Sequence, residues 1–289
     1  MNKKELNDAR SRFKHFFLKK VIFRLDYDGL LDTDVSKVVS NIRDKYYSYG
    51  LSNMNIKQEN NINIKIDSDL NTPESERVAL NGYNKNTVYC FESNNGEIIE
   101  IGRNFFSFCI KDVKQYKSFD DYKELLIETI IALNKTTQFF KMIRIGLRKI
   151  NMCYLKNINS LNKYFTQSAF NFKQTVTDLP EYQCVNSKFT SFLIKDTYKI
   201  NYNRATIDGV MEGKNGKNEP LNLIVTDIDV YKDDMIKISS ELKNKKSIEK
   251  CLDNQNIIEF EVFQSSITDL MKSELSKDCF NNKEIRGVY

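Results

Sequence analysis

The stretch that decides the fold is Phe139-Phe-Lys-Met-Ile-Arg-Ile-Gly-Leu-Arg-Lys-Ile-Asn151. Apolar residues alternate in its centre with two arginines and a glycine, and this period of two is typical of a half-buried β-strand. One face of the strand would carry Ile143, Ile145 and Leu147, and the opposite face would carry Arg144, Gly146 and Arg148. The sequence therefore predicts a strand that buries one side and turns two guanidinium groups to the other.

Arg144 and Arg148 are candidate binding residues, because an arginine keeps its charge and offers five donors in a planar fork. Gly146, which lies between them, would leave room for a carboxylate, a phosphate or a partner's backbone to approach both forks. The structural alternative is that the arginines pair with acidic side chains on a neighbouring strand, or face water.

Paired aspartates supply possible partners for these arginines. Asp227 and Asp229 lie two residues apart in the apolar run 223–231, so both carboxylates would face the same way on a strand. Such a pair could hold a hard divalent cation, but carboxylates in an apolar strand need partners. We therefore expect ion pairs with Arg144 and Arg148, and keep a metal site as the alternative. Further pairs occur at Asp26 and Asp28, where turn chemistry is expected, and at Asp67 and Asp69.

A family resemblance rests on the same stretch. Arg144-Ile-Gly-Leu-Arg148-Lys-Ile-Asn151 resembles the Arg-Ile-Gly-Leu-Arg-x-Ile-Asn signature of a sporadically distributed prokaryotic family of similar length and unknown function, and Phe263-Gln-Ser-Ser-Ile-Thr-Asp269 resembles that family's C-terminal helix. The resemblance implies a shared fold and a prokaryotic origin but supplies no activity. It adds Asn151, the last residue of the first motif, to the candidate binding residues.

The charge of the chain is concentrated at its N-terminus. Residues 1–20 hold seven lysines and arginines against two acids, while the net charge of all 289 residues is +5. The remainder is therefore close to neutral, unlike a protein with a basic nucleic-acid groove on its folded body. We expect a basic N-terminal arm that is frayed and solvated, with contact to phosphates or acidic partners as the alternative.

The chain lacks the side chains that most types of catalytic site need. The chain has a single histidine, His15, in the predicted arm, so neither a Ser-His-acid triad nor a two-histidine metal site can be built within one chain. The six cysteines are at least 19 residues apart, which argues against zinc and redox motifs and favours reduced thiols in the cytoplasm. No cofactor is predicted, and no apolar stretch approaches the ~18 residues of a membrane helix.

The order of elements predicts an α+β fold made of two βαβββα-like halves, with helices packed on one face of antiparallel sheets. The predicted units are the arm 1–20, a first half 21–137 and a second half 138–289, which could form one continuous domain. Strands are expected at 21–27, 61–67, 88–93, 97–110, 139–155, 188–194, 197–208 and 221–231, and helices after Asp32 or Thr33, after Ser118, near 158–170 and over 239–275. Loops are expected at 68–85 and 209–220.

The sequence lacks the common combinations of catalytic residues, and residues 21–289 carry almost no net charge. Both observations favour a non-enzymatic, cytoplasmic recognition or adaptor protein that binds a protein partner. Its oligomeric state is left open. The sporadic occurrence of the resembled family suggests, by association only, an accessory role such as phage defence. Two alternatives remain: a nucleic-acid-binding protein that uses the arm with Arg144 and Arg148, and a metal-dependent phosphodiesterase that uses Asp227 and Asp229.

Overall fold

The computed structural model describes residues 3–66, 78–111, 113–116, 118–170, 186–212 and 218–287. The strands are β1 (Leu18–Asp28), β2 (Asn53–Ile66), β3 (Val78–Glu92), β4 (Glu97–Ile101), β5 (Phe105–Ile110), β6 (Lys141–Leu155), β7 (Asn186–Lys195), β8 (Tyr198–Glu212), β9 (Asn218–Lys232) and β10 (Ile285–Gly287). The α-helices are α1 (Lys3–Ser11), α2 (Asp32–Ser48), α3 (Asp120–Asn134), α4 (Leu161–Tyr164), α5 (Met235–Glu241), α6 (Lys245–Ser266) and α7 (Asp269–Leu275).

The ten strands of the described residues form one antiparallel sheet, in the order β2-β3-β4-β5-β1-β6-β9-β8-β7, with β10 paired to β6. The helices pack against one face of the sheet, so the predicted α+β class is confirmed. The first strands of the two predicted halves, β1 and β6, are hydrogen-bonded neighbours at the centre. The first half has one strand more than expected, because the predicted strand 97–110 breaks at Gly102 into β4 and β5.

The core lies between the sheet and the helices and is formed by alternate strand residues. Phe108, Phe23, Leu147 and Val230 follow one another across four neighbouring strands, and all four are fully buried. Helix α2 covers its side of the sheet with an apolar face, whose buried residues are Val35, Val38, Val39, Ile42 and Tyr46. Burial of such side chains contributes roughly 1.5–3 kcal/mol each, so this layer is the main source of stability.

The predicted alternation of β6 fails at Ile143. The register between β1 and β6 shifts between Asp26 and Tyr27, so Met142 takes the inward position and is 1% exposed, whereas Ile143 is 40% exposed. A β-bulge adds one residue to one strand of a pair, so the alternation of inward and outward side chains shifts by one residue beyond it. From Arg144 onward the predicted faces hold, with Ile145 and Leu147 buried.

The N-terminal segment does not form the frayed arm that its charge suggested. Residues 3–11 form α1, and the apolar side chains of Leu6, Phe13 and Phe17 are buried in the core. Two of its basic residues are anchored as well: Arg10 donates to Asn256 Oδ1 at 2.8 Å, and Lys14 pairs with Asp278. His15, expected in a mobile arm, lies 3.0 Å from the Lys277 carbonyl oxygen.

Several predicted boundaries also move. The predicted helix 239–275 is divided into α5, α6 and α7, and the helix expected near 158–170 shrinks to a short turn at Ile158–Ser160 and α4. β3 begins at Val78 and β8 extends to Glu212, inside regions predicted as loops. Asp67, Asp69 and Cys184 lie outside the described residues. No helix among the described residues is long and apolar enough to cross a membrane.

Candidate functional site

The face of the sheet opposite the helices carries most of the candidate residues, and we call it the open face. Its cross-strand rows follow from the strand register. One row runs through Phe192 on β7, Asn201 on β8, Asp229 on β9 and Arg148 on β6. The next row runs through Ile194, Lys199, Tyr231, Gly146 and Arg24. Residues that share a row lie on the same face as direct neighbours.

Arg148 forms a two-point ion pair with Asp227 on the open face. Its Nε donates to Asp227 Oδ1 at 2.7 Å and its Nη2 donates to Oδ2 at 2.6 Å, the fork geometry that guanidinium groups favour. Hydrogen bonding to Asp227 raises the pKa of Arg148 above its ordinary value. The Asp227 side chain is only 11% exposed, and Arg148 is the cation that compensates for the burial of its carboxylate.

Arg144 pairs with Asp229, to which its Nη2 donates at 2.7 Å, and its Nη1 lies 3.8 Å from Asp26 Oδ2. The guanidinium lies over the Tyr231 ring, 4.5 Å from its centroid. Gly146 allows this arrangement: a Cβ at that position would lie 3.3 Å from Arg144 Nη2 and 3.1 Å from the Tyr231 Cβ. The space expected to admit a partner is therefore filled by the side chain of Arg144.

Opposing effects act on the pKa of Asp229. Burial raises its pKa above the ordinary aspartate value, with the Asp227 charge acting in the same direction, while Arg144 and Arg148 lower it. The net direction is upward, so the fold favours protonation of Asp229 more than the unfolded chain does. Its contribution to stability is therefore lost as the pH rises from about 3.9, the unfolded pKa, through the raised folded pKa.

The predicted pairing of Arg144 and Arg148 with the aspartates of β9 is confirmed. Their carboxylates, considered for a metal, each accept from a guanidinium. Within the described part of the chain, no group of three or more His, Cys, Asp or Glu residues is placed to hold a metal ion. Asp26 and Asp28 were both expected to hydrogen-bond within the turn. Asp28 does so, because its Oδ1 accepts from Gly29 N. Asp26 instead accepts from Arg24 Nε at 2.7 Å, on the open face.

Asn151 is separated from the other candidates, because it projects to the helix-covered face. It is buried there, as is Lys149, whose Nζ donates to Asn256 Oδ1 on α6 at 2.9 Å. Alternation along β6 places odd-numbered residues from 145 onward on this face, so the position of Asn151 could have been predicted from the sequence. The structure thus brings together Arg144, Gly146, Arg148, Asp227 and Asp229, and it excludes Asn151 from their cluster.

Three open-face residues were not singled out from the sequence. Phe192 and Ile194 on β7 are 76% and 77% exposed. Arg24 on β1 lies over the Phe105 ring, 4.9 Å from its centroid. Alternating aromatic and aliphatic residues predict a strand with one buried face, but they do not indicate whether that face is covered.

A double-mutant cycle tests whether the Arg148–Asp227 pair stabilises the fold. We expect Arg148→Ala to lower the free energy of unfolding by about 2–3 kcal/mol, because it leaves Asp227 buried without its partner. The double variant Arg148→Ala/Asp227→Ala should recover about half of that loss or more. Urea unfolding measures both values.

The matched control is Arg24→Ala, which breaks a more exposed pair with Asp26 on the same face. It should cost no more than about 1 kcal/mol. If Arg148→Ala costs no more than this control, Arg148 does not act as a structural partner of Asp227.

Comparison with known proteins adds little. No protein-family model matches the chain, and no curated protein matches it. Among solved structures, the chain is similar to S. pombe Pct1 RNA triphosphatase in complex with the Spt5 CTD at 6% identity, with 91% of this chain and 92% of that chain covered and a TM-score of 0.15. So low a TM-score supports no conclusion about fold or function.

Proposed function

We propose that this chain is a non-enzymatic recognition protein and that a protein partner binds its open face along β7. The main support is the pair Phe192 and Ile194, which are more than three-quarters exposed on that face. Large apolar side chains next to each other on a surface are typical of protein–protein contacts, because their burial by a partner removes them from water.

The position of β7 at the end of the sheet favours an extended partner. Among the described residues, β7 pairs with β8 and no strand pairs with its other edge. An unpaired edge presents backbone donors and acceptors that a segment of another chain can pair with, while alternate side chains provide selectivity. In this binding mode the side chains of Thr190, Phe192 and Ile194 would contact one face of the added segment.

The ion-pair cluster would form the polar part of the same surface. Phe192 and Arg148 share one row, and Ile194 and Gly146 share the next, so the apolar and charged groups are about three strand spacings apart, roughly 14 Å. Arg144 and Arg148 are held by their aspartates, so a partner would meet ordered side chains and lose less conformational entropy on binding.

The same pairing makes the two alternatives less favourable. A nucleic-acid phosphate would have to displace Asp227 or Asp229 from its arginine, and a metal ion would have to displace the arginines from both carboxylates. We propose the cytoplasm as the setting. An accessory locus such as phage defence is proposed on the family resemblance alone.

Site-specific photo-cross-linking in cells that express the protein tests the proposal. A photoreactive phenylalanine analogue at position 192 should form an adduct with another polypeptide, and Ile194→Lys in the same chain should reduce the yield at least about fivefold, because burial of one large apolar side chain is worth roughly 1.5–3 kcal/mol. Mass spectrometry of the adduct identifies the partner.

The control position is Ile236 on α5, whose side chain is 78% exposed. The analogue at 236 should give no specific adduct. Equal labelling at 192 and 236, or labelling at 192 that Ile194→Lys does not reduce, would contradict the proposed surface. An adduct between two copies of this chain would identify the partner as a second copy.

A further inference from the structure

A cavity of about 700 Å³ lies on the helix-covered side of the sheet, well apart from the open face. Its walls come from α1 and the segment that follows it, from the turn before α3, from β6 and from α6. This volume is within the range of roughly 300–1,000 Å³ that small-molecule sites occupy. Its lining includes Arg10, Phe13, Phe16, Tyr116, Lys149 and Phe260.

The polar wall of the cavity carries more positive than negative charge. Lys149 Nζ lies 2.8 Å from Glu259 Oε2, and Arg10 Nη2 lies 3.7 Å from the same oxygen, so two cations share one carboxylate. Asn256 Oδ1 accepts from both cations, at 2.9 and 2.8 Å. Lys149, Asn256 and Glu259 are all buried. Lys14 and Lys114 also line the cavity, and Asp120 is the second acid in its lining, so basic side chains outnumber acidic ones there.

The apolar wall is made of aromatic rings. Phe13 and Phe260 have ring centroids 5.9 Å apart, and Phe260 and Phe263 have ring centroids 6.3 Å apart. Phe16, which is 40% exposed, contacts the edge of Phe13 with a centroid distance of 6.4 Å. Such rings offer faces and edges on which another planar ring packs well.

We propose that this cavity binds a small aromatic anion, with its ring among Phe13, Phe16 and Phe260 and its acid group beside Lys149 and Arg10. The combination of an apolar pocket with a few convergent charged groups is that of a small-molecule site. The acid group could be a phosphate or a carboxylate, since both accept charge-assisted hydrogen bonds from lysine and arginine. This site is independent of the surface proposed for the protein partner.

The pH dependence of binding follows from the surroundings of Lys149. Burial lowers the pKa of Lys149 to about 8, and the Arg10 charge acts in the same direction while Glu259 and Asp120 oppose it. A bound anion would favour the charged amine, so binding takes up protons near this pH. Affinity should therefore fall as the pH rises from 7 to about 9.5. Lys14, His15 and Lys114 also line the cavity, so the assignment to Lys149 needs a variant.

The test uses two matched fluorescent probes, 8-anilinonaphthalene-1-sulfonate and its uncharged counterpart N-phenyl-1-naphthylamine. The sulfonate should bind the intact protein with one-to-one saturation. Lys149→Met should raise its Kd at least about tenfold, the value of one buried charge-assisted hydrogen bond, and should remove the pH dependence. The neutral probe should respond to neither the variant nor the pH.

Two further variants keep the outcome clear. Ser11→Trp places a large ring at an exposed lining residue and should block both probes without touching the buried cluster, so it tests the site even if Lys149→Met does not fold. Lys232→Met removes a buried lysine of β9, paired with Glu241 and not lining the cavity, and should leave sulfonate binding unchanged.

Sulfonate binding that is unsaturable, or unaffected by Ser11→Trp, would overturn the proposal, as would equal loss in the Lys149 and Lys232 variants. Competition then distinguishes the acid groups. Displacement of the sulfonate by adenosine monophosphate supports a phosphate ligand, and displacement by indole-3-acetate supports a carboxylate. Displacement by neither compound contradicts the aromatic-anion assignment.

Discussion

Replacing Gly29 with alanine is expected to lower the free energy of unfolding by about 3–5 kcal/mol. Gly29 lies in the turn after β1 with a φ of +89°, a conformation that costs a residue with a side chain about 1–2 kcal/mol. Its added Cβ would also lie only 1.9 Å from the Phe139 carbonyl oxygen. Because that oxygen belongs to the backbone just before β6, the turn after β1 and the segment that leads into β6 would have to separate locally.

Gly50→Ala is the matched control. Gly50 has a nearly identical φ of +87°, but an added Cβ would meet no atom within 4 Å. It should therefore cost only the conformational part, about 1–2 kcal/mol. Urea unfolding of the two variants separates the cost of the backbone conformation from the cost of the steric contact with Phe139. Equal losses of stability at the two positions would show that the backbone at Phe139 does not lie close to Gly29.

Replacing Glu259 with leucine should be comparably destabilising, by about 3–5 kcal/mol at pH 7. Glu259 is 2% exposed and lies beside both Lys149 and Arg10, so its removal leaves the buried Lys149 amine and the partly buried Arg10 guanidinium without their shared carboxylate. The double variant Glu259→Leu/Lys149→Met should recover much of the loss, because it removes one of those cations.

The loss in Glu259→Leu should shrink as the pH rises. Burial and Arg10 hold the pKa of Lys149 at about 8, below the unfolded value of about 10.4. Glu259 raises this pKa, so Glu259→Leu should lower it further below 8. Between the two folded-state pKa values, only the variant's folded state has lost the proton that its unfolded chain still binds, so the variant gains stability relative to the wild type as the pH rises to about 8. Unfolding at pH 7 and pH 9.5 measures the change. A loss that is independent of pH would contradict a charged Lys149 beside Glu259.

Alternation along the chain was sufficient to predict the central strand and the partners of its arginines. The two arginines lie four residues apart on β6 and the two aspartates lie two residues apart on β9, so each pair occupies one face of its strand. Charges in apolar strands need partners, and the pairing was therefore predictable from chemistry. Asn151 was placed in the wrong cluster because it was chosen by motif rather than by parity.

Other features depend on contacts that a single strand does not encode. The outward turn of Ile143 arises from the register between β1 and β6, which local alternation does not specify. The N-terminal segment was judged by its charge, although Leu6, Phe13 and Phe17 could have suggested that it packs on the body. The exposure of Phe192 depends on which sheet face the helices cover, and that choice is made by the whole fold.

The most direct test of the proposed function is amide hydrogen exchange, measured with and without the partner identified by cross-linking at position 192. If that partner adds a strand to the sheet, amides of β7 should exchange more slowly in the complex, while amides of β2 at the opposite edge and of α5 should be unchanged. Unchanged exchange along β7 in a saturated complex would contradict the account, because a chain that pairs with this edge must protect its backbone.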